Sequence, residues 1–63
     1  MTVAEIIKDI RCKLKLSQSD LAKQIWPDKN PAITQTYISK YELGISDPPA
    51  SIFLKITELA DKH

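Results

Sequence analysis

ITQTYISKYELG, residues Ile33 to Gly44, carries the signals of one helix from start to stop. Thr34 offers a hydroxyl to cap the N-terminus, and Ile38 and Tyr41 are apolar three residues apart. Gly44, the only glycine in the chain, suits the left-handed conformation that ends a helix. Gln35, Thr36, Ser39 and Lys40 are left on the other face. These are hydrogen-bonding side chains, short or flexible enough to meet base edges in a duplex groove, so the stretch reads as a recognition helix.

Upstream lies LSQSDLAKQI, Leu16 to Ile25, in which Ser17-Gln18-Ser19-Asp20 reads as a helix start and Leu21, Ala22 and Ile25 continue one face. The two stretches together resemble the helix-turn-helix of the phage repressor and Cro family. The resemblance is carried by Leu16-Ser17-Gln18, Leu21-Ala22, Ile33-Thr34, Ile38-Ser39, Glu42 and Gly44, followed by a proline and then Phe53-Leu54-Lys55-Ile56. It covers nearly the whole chain. It implies an all-α, compact four-helix domain over residues 1–63, with the second and third helices forming the helix-turn-helix. One departure is large: Trp26 to Ala32, WPDKNPA, stands where the family makes a tight turn with one glycine. It is longer by about six residues, and its two prolines forbid a smooth helix, so an extended loop is expected there.

The resemblance also implies roles for single residues. Gln18, at the start of the second helix, would hold a phosphate and brace Gln35, which would read adenine through its amide. Lys40, on a similar face, would reach guanine or a phosphate; the plain alternative is an exposed lysine. Thr36 would give its methyl to thymine or its hydroxyl to a phosphate, Ser39 would face the bases, and Ser19 the backbone. Tyr37 would bond a phosphate or cover the edge of the core. Arg11 and Glu42 match positions that pair between the first helix and the end of the third, the guanidinium fork holding the carboxylate through two parallel bonds. Leu43 and Ile45 stand where the family often has polar groups that touch DNA. Either backbone N–H groups meet phosphate there, or the two residues belong to a protein contact.

The remaining segments fit one small helical domain. Thr2 and Glu5 form a capping-box pattern, and Val3, Ile6, Ile7, Ile10 and Leu14 make one apolar stripe, read as core. Lys15 falls where the family commonly has glycine, so it either carries a positive φ at a cost of about 1 kcal/mol or the turn differs. Ile45 to Pro49 reads as an extended connection, followed by a last helix from about Pro49 to Asp61 with Phe53, Ile56 and Ala60 on one face and Ile52 and Leu59 partly off it. In the loop, Trp26 is by default a core or rim residue, the alternative being a wedge or partner contact. Lys29 and Asn30 at its tip would lie beside the DNA backbone.

Composition narrows the function. Sixty-three residues give room for one domain, with a single cysteine and hence no internal disulfide. The net charge of +1 says little, but residues 8 to 40 hold seven lysines and arginines against three aspartates, while residues 41 to 63 hold two lysines against four acids. The basic excess sits with the proposed DNA face. One cysteine, Cys12, and one histidine, His63, cannot complete a four-ligand zinc site, and so small a helical domain hardly builds a catalytic pocket. No enzyme and no cofactor are expected, and His63 is read as solvated. No apolar run reaches the roughly 18 residues of a membrane helix and no charged-then-apolar leader is seen, so a cytoplasmic protein is expected. The expected function is a transcriptional regulator that binds double-stranded DNA, as a homodimer at least on DNA. The alternatives are an antitoxin-like regulator with an added protein partner, and a helical interaction module that binds no DNA.

Overall fold

The computed structural model describes residues 2–62, so the expectation for His63 lies outside it. Four helices follow one another: α1 (Val3–Lys13), α2 (Gln18–Ile25), α3 (Pro31–Leu43) and α4 (Ala50–Asp61). α3 packs on both α2 and α1, and α4 closes the other side against α1 and α2. Each helix gives to one core, made of Ile7, Leu21, Ala22, Ile25, Ile38, Tyr41 and Ile56. Ile10, Leu16, Trp26, Ile52, Phe53 and Leu59 pack around it, so Ile52 and Leu59 join the interior despite lying off the centre of the α4 face. Val3 does not. As the first residue of α1 it closes the apolar stripe at its outer end and stays 38% exposed.

The first two helices start where their caps dictate. Thr2 accepts from the Glu5 backbone N–H at 3.2 Å while Glu5 reaches back, and Ser17 and Asp20 repeat the arrangement at α2, with Ser17 accepting from the Asp20 N–H at 3.0 Å. α1 ends through Lys15, the one non-glycine residue with positive φ (59°) among those described. Leu16 N–H returns to the Arg11 carbonyl at 3.1 Å across it. At the end of α3, Gly44 does the same at φ 77°, with Ile45 N–H returning to the Lys40 carbonyl at 3.0 Å.

The start of α3 differs from the expectation. Thr34 is not its cap; Asn30 is, its side-chain oxygen accepting from Ala32 N–H at 3.0 Å. Asparagine is at least as good a cap as threonine, and Pro31 supplies a pre-set φ at the first helical position, so the Asn-Pro pair wins the start. Thr34 is left one turn inside, 4% exposed, with its hydroxyl donating to the Asn30 carbonyl at 3.2 Å. The expected loop from Trp26 to Ala32 is correspondingly shorter. Pro31 and Ala32 are helical, and what joins α2 to α3 is Trp26 to Asn30, turned so that Lys29 N–H meets the Trp26 carbonyl at 3.1 Å. Trp26 is half-buried against the core, its ring 5.8 Å from that of Tyr37 and tilted by 59°.

One polar contact ties α3 to the rest. Arg11 Nε donates to Glu42 Oε2 at 2.6 Å, its Nη2 donates to Oε1 at 2.9 Å, and its Nη1 donates to the Leu16 carbonyl at 3.1 Å. The side chains are 17% and 6% exposed. The hydrogen bond to Glu42, against the cost of burial and with the carboxylate charge behind it, raises the Arg11 pKa. Burial also pushes the Tyr41 phenol up, with the nearby Tyr37 adding to it.

Three outcomes follow. Arg11→Ala should cost about 3 kcal/mol in urea melts, because it strands a carboxylate that is nearly closed off from water. Glu42→Ala should cost less, and Arg11→Lys should not restore the loss, since an ammonium cannot make two parallel bonds. Losses of a few tenths of a kcal/mol for both alanine variants would contradict this. Lys15→Gly should raise stability by roughly 0.5–1 kcal/mol, relief of left-handed strain outweighing the glycine's extra freedom when unfolded. A raised folded-state pKa for Tyr41 means the unfolded chain loses that proton first. Its contribution is therefore fully present below about pH 10 and is lost as pH rises further, so Tyr41→Phe should flatten the alkaline limb of a stability-against-pH curve.

Candidate nucleic-acid interface

α3 has one buried line, Thr34, Ile38 and Tyr41, at helical spacing. The four residues read as base-facing lie on the remainder of its surface. Thr36 and Lys40 are exposed, while Gln35 and Ser39 are half-buried on the flank shared with Glu42. Because the helix starts at Pro31, Gln35 is its fifth residue and not its first. Thr36 has already spent its hydroxyl proton, donated to the Ile33 carbonyl at 2.6 Å, so it meets a ligand with its methyl and its oxygen lone pairs.

The backbone-facing candidates gather at two helix starts. Gln18 and Ser19 are the first two residues of α2, both half-buried, at the end of the helix that carries partial positive charge. Among the described residues no hydrogen bond joins Gln18 to Gln35. Lys29 and Asn30 are exposed in the α2–α3 connection. Asn30 has its side-chain oxygen engaged as the α3 cap, which leaves its amide nitrogen for an outside partner. Tyr37 is 46% exposed and leans on Trp26, so it covers the edge of the core and still shows its outer side to solvent.

A shallow cleft of about 200 Å³ opens between this connection and α3, lined by Trp26, Lys29, Asn30, Ile33, Thr34 and Tyr37. Ile33, missing from the base-facing set, is 60% exposed in it. Reading Asn30-Pro31 as cap and first helical residue would have placed Ile33 on the helix surface. Beyond the helix, Leu43 and Ile45 are 70% and 69% exposed on either side of Gly44. Cys12 is exposed on α1. Among the described residues no three His, Cys, Asp or Glu side chains gather as a metal site requires, and no helix is long and apolar enough to cross a membrane.

Arg11 and Glu42 fix the C-terminal end of α3, Asn30 fixes its N-terminal end, and α2 packs against it. Two helices joined in this way, with Gln35, Thr36, Ser39 and Lys40 off the buried line of the second, make a helix-turn-helix. A family model described as helix-turn-helix matches residues 7–63. No curated protein and no solved structure matches the chain. The chain belongs to the repressor and Cro-type helix-turn-helix family, whose members are DNA-binding transcription regulators.

Proposed function

We propose that the domain binds a specific two-fold operator as a homodimer, with α3 in the major groove and half-sites about one helical turn apart, and regulates transcription there. One observation supports this above the rest: Gln35, Thr36, Ser39 and Lys40 lie off the buried line of a helix held at both ends by Asn30 and by the Arg11–Glu42 pair. In this reading Gln35 reads adenine through its amide, Lys40 takes guanine or a phosphate, and Thr36 and Ser39 complete the base-facing set. Gln18 and Ser19 hold a phosphate at the start of α2, and Tyr37, Lys29 and the Asn30 amide meet the strand beside it. One helix reads too few base pairs to single out a site in a genome, which is the argument for two protomers on a two-fold sequence. The work is binding without chemistry, needs no cofactor, and belongs in the cytoplasm with the duplex.

A second reading keeps the DNA contact and adds a protein partner, as an antitoxin-like regulator would have. Leu43 and Ile45, each more than two-thirds exposed next to the end of α3, favour it.

Selection of bound duplexes from a random pool should return a two-fold consensus, and its absence would remove the sequence-specific reading. On that consensus Gln35→Ala should cost about 1–3 kcal/mol and relax the preference at one base pair. Gln18→Ala should weaken all sequences evenly. A Gln35→Ala protein with an unaltered base preference would overturn the assignment of that residue.

A further inference from the structure

The turn that Asn30 and Pro31 add to α3 is apolar on its open side. Ala32 and Ile33 are both exposed, and Ile33 shares the wall of the cleft with Tyr37 and the Trp26 ring behind it. One turn on, Thr36 faces out with its hydroxyl proton already spent on the Ile33 carbonyl. Neither Ala32 nor Ile33 has a side-chain group to pair with a base edge, and Thr36 brings no free donor. The group on the floor of the major groove that such a surface matches is the C5 methyl of thymine.

Position and charge favour DNA over a protein as the occupant. The N-terminal residues of a recognition helix are the ones that reach base edges, and here they are Ala32 and Ile33. The patch is continuous with Thr36 and Lys40 along the same helix, and Lys29 stands at its rim, so cations flank it where a duplex would carry phosphates. A protein seated on this turn would block that approach.

We propose that Ala32, Ile33 and the Thr36 methyl form a thymine-methyl contact, with Ile33 the residue that sets a thymine preference within each half-site. This rests on the reading of α3 as the helix that enters the major groove. The added turn then gives the domain an apolar readout next to the hydrogen-bonding readout of Gln35 and Lys40.

The test replaces single thymines of the selected duplex by deoxyuridine, which removes the methyl and leaves every hydrogen-bonding group in place. At one or two positions per half-site the swap should weaken binding about four-fold, the worth of one buried carbon. Ile33→Ser should bind the parent duplex more weakly by a similar factor and be indifferent to the swap at those positions. Its thermal melt should match the parent protein, because the side chain is mostly in solvent. A duplex that tolerates every swap, or an Ile33→Ser protein that keeps the four-fold loss, overturns the proposal while specific binding stands. A pool that yields no preferred sequence removes the specific-binding reading and this proposal with it.

Discussion

The guanidinium of Arg11 is the contact on which the arrangement of α3 depends. Its three nitrogens reach the end of α3 through Glu42 and the α1–α2 turn through the Leu16 carbonyl, so one side chain joins three pieces of backbone. α3 needs such an anchor because its apolar residues are spread around it. Thr34, Ile38 and Tyr41 face the core, while Ile33, Tyr37 and Leu43 are left in water. Burial of apolar surface does not by itself choose between these sides. A half-buried ion pair adds little net stability over an apolar substitute, since desolvation offsets much of the attraction, but its two parallel bonds favour the rotation that brings Glu42 to Arg11. That rotation decides which residues face outward.

The opposite end of α3 is held by other means. Asn30 caps it and Pro31 begins it, a local device that asks nothing of the core. The consequence is an added turn that carries Ala32 and Ile33. The short connection from Trp26 to Asn30 is in turn pinned by Trp26, whose ring rests against the core and against Tyr37. The surface proposed to read DNA is therefore supported from below by packing at one end and by the Arg11 fork at the other. Little reordering is needed on binding, which limits the entropy such contacts cost.

Much of this was legible in the residue order because it rests on local rules. The capping patterns at Thr2 and Ser17 and the glycine stop at Gly44 each follow from short-range chemistry, and the structure has all three. The left-handed Lys15 was one of two outcomes that only the family resemblance offered. The family pattern spans most of the chain, so the four-helix class was legible too. The start of α3 was not, because two good caps, Asn30 and Thr34, compete within five residues, and only the proline after the first decides between them. Choosing Thr34 hid the added turn and with it the exposure of Ile33. Val3 shows a second limit: periodicity marks a stripe, but it does not say how far along the stripe the neighbouring helices reach.

The central proposal is that the duplex is met by the outer side of α3 together with the start of α2 and the Trp26 to Asn30 connection. Amide resonances of the isotopically labelled domain, followed as the selected duplex is added, test it directly. The account predicts shifts confined to the start of α2, the Trp26 to Asn30 connection and α3, with the first turns of α1 and the outer face of α4 unmoved. Shifts centred on Leu43, Ile45 and α4, with Ile33 to Lys40 unchanged, would contradict it.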